Sequence, residues 1–295
     1  MACTSDAIDP WCAYVAGREL NIPFSMYVFD DYRLQWLNPV YAKHVGIVGP
    51  DIMRNATNVI VPNEFLKKRY DREFGIRTRI VRNPVDLTGY RMIPSGTAKV
   101  AGSRICILYT GAIYEAQQDA LNRLVRAIGK MQNVRITLRI YSENRWSPDP
   151  AYQDIVESHD AVPLCRMPEI QGKADILFLP LAFHSDFSDD LINTSSPGKI
   201  GEYLAAGRPV LVHAPENSFV SWYFKTHSCG EVVDSESEER LIGGLSRIIH
   251  DQDYRNLIAE NAKNRALLDF NLEYVRTDFM SLFNPLRGTD KRQGQ

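Results

Sequence analysis

The 295-residue chain reads as an α/β protein built from two Rossmann-like domains, the first of them incomplete. Three observations predict this. Short apolar runs alternate with helix-period patterns along the chain, which is the signature of βα units. In the second two thirds those runs lack polar alternation, as suits strands covered on both faces of a parallel sheet. That region holds enough runs and intervening helices for one complete domain, whereas the first hundred residues hold about half of one.

In order, the first unit is a helix over 11–20, a strand over 24–29 (FSMYVF), a second strand over 58–61, a helix over 64–74 and a third strand over 79–81. Arg82-Asn83-Pro84-Val85-Asp86 supplies turn chemistry. Pro94-Ser95-Gly96-Thr97 reads as an interdomain linker, and 99–103 leads into the second domain.

The second unit opens with a strand at 104–109 (RICILY). Leu121, Leu124, Val125, Ile128 and Met131 then share one helix face. A strand at 134–142 (VRITLRIYS) completes a βαβ unit, and further strands are expected near 161–164 and at 175–179, 209–213 and 231–233. Helices fit 199–206, stopped by Gly207, then 238–250 and 253–268.

Composition narrows the function classes. The 44% hydrophobic and 24% charged residues are globular averages. Lys+Arg 34 against Asp+Glu 36 leaves net charge -2, with no global field for a polyanion, so nucleic acid is not an expected partner. The N-terminus lacks the basic start and apolar run of a signal peptide, and no stretch reaches the roughly 18 apolar residues of a membrane helix. The expectation is a cytoplasmic protein without a transmembrane segment. Five scattered cysteines, never paired as C-x-x-C, indicate neither zinc nor disulfides, and Cys106 reads as a small hydrophobe within a strand.

The most informative stretch runs from Thr194 to Val210 (TSSPGKIGEYLAAGRPV). Pro197 suits a first helical position and Ser196 an N-cap. Unpaired N–H groups at such an end attract phosphate. Lys199 adds a cation, and Glu202 lies three residues on, on the same helix face. A charge for a diphosphate and a carboxylate for a ribose diol thus stand side by side. The bland alternative is a capped helix with an exposed Lys199–Glu202 bridge. The order of parts favours the first reading, because the loop 181–195 follows the carboxyl end of a strand, where α/β sheets bind ligands.

This stretch resembles the donor-site segment of the retaining family 4 glycosyltransferases of the GT-B fold, "P-S-K-x-x-E-Y-L-A-A-G-x-P-V", with Gly198 where Ser is usual. Tyr109-Thr110-Gly111, the segment 174–180 (ADILFLP) and Arg82-Asn83-Pro84-Val85-Asp86 add to the resemblance, which covers roughly 20–283. It implies a GT-B fold with a partial acceptor-side domain at 1–98, a donor domain at 99–270, and 271–295 as a helix crossing back to the first domain plus a tail. It implies sugar transfer from a nucleotide-diphosphate-sugar co-substrate to a carbohydrate or lipid-linked acceptor, with retention, no metal and no resident cofactor. By the resemblance, Lys199 binds the diphosphate, Glu202 the ribose, and Ser195 and Ser196 the phosphate oxygens. Gly111 lets the diphosphate approach backbone.

Three departures stand beside it. Thr194 occupies the position of the family's first glutamate in its Glu, seven residues, Glu motif, so its contact with the donor is not through a carboxylate. Ala112, and Ala116 or Gln117, stand where the family carries an Arg and a Lys. The chain opens near what would be a middle strand of a full first domain, so a non-catalytic nucleotide-sugar binding module, or a fragment, is the alternative; an epimerase on the same scaffold ranks last.

Among the remaining candidates, Asp31 follows the strand 24–29, where the resembling family often carries a His facing the transferred sugar; by that resemblance it is the catalytic candidate, with a solvated strand-end turn as the alternative. The Asp251-Gln252-Asp253 triplet reads as an N-cap rather than a metal motif. The histidines show no ligand spacing; His184, after Pro180, is the one expected near the cleft. Trp11, Trp36, Trp146 and Trp222 read as packing residues. Base recognition is expected around 161–167, through backbone groups.

Overall fold

A computed structural model describes residues 1–91, 93, 104–132 and 134–283. The linker expected at 94–97, the lead-in 99–103 and the domain boundary at 98/99 lie outside the described residues.

The first lobe is a parallel sheet ordered β1-β2-β3-β4, formed by Ala2–Cys3 (β1), Ser25–Tyr27 (β2), Asn58–Val61 (β3) and Arg79–Ile80 (β4). Its helices are Asp9–Glu19 (α1), Pro39–Asn55 (α2) and Glu64–Phe74 (α3). The sequence does not predict α2, because Pro39, Gly46, Gly49 and Pro50 read as breakers. Asn38 caps it by accepting from Val40 N–H at 2.9 Å, and Pro39 sits in the first turn, where it loses no hydrogen bond. Val45, Val48, Ile52 and Met53 bury its inner face, and that packing outweighs the propensity cost. Asn63 caps α3 through Leu66 N–H, and Gly75 ends it at φ 67°.

The second lobe is a six-stranded parallel sheet ordered β10-β9-β8-β5-β6-β7. Its first half comprises Ile105–Thr110 (β5), Glu115–Lys130 (α4), Ile136–Ser142 (β6), Val156–Asp160 (β7) and Met167–Gly172 (α5). Its second half comprises Ile176–Pro180 (β8), Asp189–Thr194 (α6), Lys199–Ala205 (α7), Val210–His213 (β9), Phe219–His227 (α8), Glu231–Val233 (β10), Glu238–His250 (α9) and Gln252–Arg265 (α10). The edge strand β7 precedes the expected 161–164; residues 164–166 form a short 3-10 turn instead. Asp251 caps α10 by accepting from Tyr254 N–H at 2.9 Å.

One face of this sheet packs Leu108, Leu177 and Val212 against α7, α8 and α10; the other packs Ile107, Tyr109 and Leu138 against α4 and α9. The chain runs outward from β5 to β7, then returns to the far side of β5 with β8. The order therefore reverses between β5 and β8, which leaves a crevice at their carboxyl ends.

A π-helical turn at Ala266–Phe270 carries the chain back to the first lobe. There Val85 N–H donates to Phe270 O at 2.7 Å and Leu272 N–H to Val85 O at 3.1 Å. The last helix among the described residues, Leu272–Ser281 (α11), lays Val275 and Phe279 against Ile60, Val81 and Tyr27.

Candidate functional site

A cleft of about 610 Å³ lies between the lobes, within the range of small-ligand sites. Phe29, Asp30 and Trp36 form its first-lobe wall; Ala112, Tyr114, Gln117 and residues 195–199 form the other.

Lys199 opens α7 and is the only cation lining the cleft among the described residues. Its Nζ donates to the Tyr109 hydroxyl at 2.8 Å and lies 4.0 Å from the centroid of that ring. Burial pulls its pKa down to about 7, with the charge of Glu202 pulling weakly the other way. Burial pushes the Tyr109 phenol up, so it stays protonated, donating to Ala112 O at 2.5 Å while accepting from Lys199.

Gly111 makes this approach possible. Its φ is 117°, and a Cβ there would meet Lys199 Nζ at 3.0 Å and Cε at 3.2 Å. Its N–H donates to Tyr141 O at 2.9 Å, which fixes the turn after β5.

Glu202 does not bridge to Lys199, so the pair is not the exposed i, i+3 bridge of the bland alternative. Glu202 Oε2 accepts from Gln171 Nε2 at 2.9 Å, and Tyr90 OH donates to Gln171 Oε1 at 2.9 Å. The Tyr203 hydroxyl accepts from Thr110 N–H at 2.8 Å, fastening the second turn of α7 to the end of β5.

The expected cap at Ser196 is corrected. The helix begins at Lys199, with Gly198 at the N-cap position and no side-chain cap, because the first turn closes through Ile200 N–H to Pro197 O at 3.0 Å. Thr194 is buried and its hydroxyl donates to Asp190 O at 2.8 Å; the Ser195 hydroxyl donates to Leu191 O at 2.9 Å. Of these three hydroxyls, only that of Ser196 makes no hydrogen bond among the described residues, and Ser196 lines the cleft.

Asp31 does not line the cleft. Its side chain is fully buried, with Arg69 Nε 2.9 Å from Oδ2 and Arg33 N–H donating to Oδ1 at 3.1 Å. Its neighbour Asp30 lines the cleft instead, without a hydrogen-bond partner among the described residues. Burial, then the charge of Asp31, pushes the Asp30 carboxyl up. Alternation along a strand distinguishes the two faces but not which of two adjacent turn residues enters a cleft, so the sequence offers no signal for Asp30 over Asp31.

His184 lies outside the cleft lining, with Nε2 2.9 Å from Glu236 and its N–H on Asp119 Oδ2 at 3.1 Å. Trp36 packs against the first-lobe core, edge-on to Tyr32 and Tyr41, and also lines the cleft. Ala112, Ala116 and Gln117 also line the cleft, so this wall carries no second cation. Among the described residues no group of three or more His, Cys, Asp or Glu could hold a metal ion, and no helix is long and apolar enough to cross a membrane.

No family model matches the chain, and no curated protein matches it. Solved structures do. The sucrose-phosphate synthase of Thermosynechococcus elongatus superposes with a TM-score of 0.71 at 16% identity, covering 94% of this chain and 71% of that one. HepE of Anabaena, in complex with UDP-glucose, gives 0.68 at 13% identity, covering 94% and 76%. A TarM variant of S. aureus, in complex with UDP and saccharide ligands, gives 0.64 at 11% identity, covering 90% and 51%. The chain therefore has the GT-B fold, two parallel-sheet lobes facing each other across a cleft.

Proposed function

We propose that this GT-B chain transfers a sugar from a nucleoside-diphosphate-sugar donor to an acceptor hydroxyl in the interlobe cleft. The observation that carries the reading is Lys199, the cation of the cleft, pressed against the Gly111 turn at the carboxyl end of β5. Anabaena HepE, a fold neighbour, was solved with UDP-glucose and with UDP, which supports this ligand class.

Lys199 holds the diphosphate, the Ser196 hydroxyl donates to a phosphate oxygen, and Glu202 uses its second carboxylate oxygen for the ribose diol. Thr194 and Ser195 shape the loop rather than offer hydroxyls. Asp30 takes the place assigned to Asp31 and faces the transferred sugar or the acceptor. In the reaction the anomeric carbon–oxygen bond to the diphosphate breaks and a bond to the acceptor oxygen forms on the same face, so configuration is retained. The departing diphosphate takes up the acceptor proton. Lys199, not a metal, neutralises the charge that develops on the leaving group, a fixed electrostatic contribution.

A second reading, a nucleotide-sugar binding module, is favoured by the absence of a second cation on the Ala112–Gln117 wall, which leaves the leaving group less neutralised. The test of the proposal is a calorimetric screen of nucleoside diphosphates and their sugar conjugates. A ligand at 100 times its Kd stabilises the fold by about 2.7 kcal/mol. Lys199→Ala is expected to weaken binding by about 1.5–3 kcal/mol; unchanged affinity sinks the assignment. Transfer to an added acceptor, with the anomeric configuration of the product, separates enzyme from binding module.

A further inference from the structure

Three contacts from the first lobe hold the segment that leads into Lys199. Asn63 Nδ2, buried, donates to Thr194 O at 2.8 Å, and Asn83 Nδ2 donates to Ser196 O at 3.3 Å. The third is ionic. Arg69 of α3 lies with Nε 2.9 Å from Asp31 Oδ2 and Nη1 2.9 Å from Asp190 Oδ2. Asp31 belongs to the first lobe beside Asp30, while Asp190 opens α6, which leads into the segment 195–199.

We infer that Arg69 is a positioning residue, a clamp between the lobes that sets the separation of the cleft walls carrying Asp30 and Lys199.

The two ends of the clamp differ in kind. The side chain of Asp31 is 0% exposed, Arg69 18% and Asp190 67%. Removing the guanidinium would strand a buried carboxylate, which is strongly destabilising. An ion pair at so exposed a carboxylate as Asp190 is weak enough to break. The clamp therefore opens at Asp190 and stays shut at Asp31. The planar guanidinium presents Nε to Asp31 and Nη1 to Asp190 in a fixed fork, with Glu73 Oε2 3.8 Å from Nε, whereas an ammonium would be a compact point charge on a flexible stem. Its consequence for turnover rests on the donor-site reading above, but the clamp itself does not need a ligand.

The experiment uses spin labels on Cys12 of α1 and Cys165 near α5, exposed thiols on opposite lobes, with Cys3 and Cys106 replaced by alanine. Interlabel distances are measured by pulsed electron paramagnetic resonance. Asp190→Ala, which leaves the buried pair intact, is expected to lengthen or broaden the distance distribution, and Asp190→Glu to restore it. An Asp190→Ala distribution identical to the parent's overturns the inference. So does equal broadening in Asp190→Glu. Inorganic pyrophosphate affinity, measured on the same proteins, is expected to stay within about twofold in Asp190→Ala, as for sites that share no partner; a larger loss would mean that Asp190 acts on the anion site itself and would overturn the clamp. If the parent binds no pyrophosphate, the donor reading fails while the distances still decide the clamp.

Discussion

Lys199 Nζ meets both the hydroxyl of Tyr109, at 2.8 Å, and the face of its ring, 4.0 Å from the centroid. One aromatic side chain thus supports a cation that has little else to neutralise it. A neutral partner leaves the ammonium's desolvation cost largely uncompensated, which is why its pKa falls to about 7. An incoming anion would supply what Tyr109 cannot.

Anion binding should therefore take up a proton. Above pH 7 the free site has lost its ammonium proton and the diphosphate-bound site has regained it. Calorimetry of pyrophosphate binding at pH 8, in two buffers of different ionisation enthalpy, should report an uptake approaching one proton. Affinity should fall by up to about tenfold per pH unit above 7. A pH-independent affinity would remove Lys199 from the anion site.

Stability without ligand should show the same group. The ordinary lysine pKa of 10.5, which the unfolded chain keeps, drops to about 7 in the fold, so between those values the unfolded chain holds more protons and stability rises with pH. Below pH 7 the burial cost is present in full. Lys199→Met should stabilise the empty protein by about 1–2 kcal/mol at pH 6, after discounting for solvent screening, and by less at pH 9. Denaturant midpoints at the two pH values check this.

Glu202→Gln should separate ribose from phosphate. Affinity for a nucleoside diphosphate should drop about tenfold, the loss of a charge-assisted hydrogen bond, while pyrophosphate affinity stays nearly constant. Equal losses for both ligands in a titration would show that Glu202 only steadies α7.

Gly111→Ala should fail on two counts. The φ of 117° is strained for alanine, and the new Cβ would press on Lys199 Nζ and Cε. A stability loss of about 1–3 kcal/mol should accompany weakened pyrophosphate binding. Full retention of both in denaturation and titration experiments would contradict the close approach described.

Much of this fold is legible from period and punctuation. The β3 and β10 strands and the α3 and α9 helices fall where their apolar spacing and caps put them. The α2 helix is not legible, because its stability comes from Val45, Ile52 and Met53 packing and not from residue propensity. The β7 strand is a polar edge, Val156–Asp160, with a single aliphatic residue, so apolar runs point past it. At the candidate site, spacing along one helix singles out Lys199 and Glu202, and the family resemblance singles out Gly111; of the three, Lys199 lines the cleft. Tyr109, Gln171 and Arg69 cannot, since each acts through a partner at least 30 residues away. Tyr109 in particular reads as an ordinary core aromatic until the lysine is seen above it.

The two crossings between lobes touch each other, at Val85 on the way out and at Phe270 and Leu272 on the way back. A lobe tethered by one strand can swing, slide and twist. A lobe tethered by two strands stitched side by side keeps one easy motion, rotation about the line through the stitch. A rotation about that line would move each cleft wall as a page moves about a book's spine, by an amount that grows with its distance from Val85.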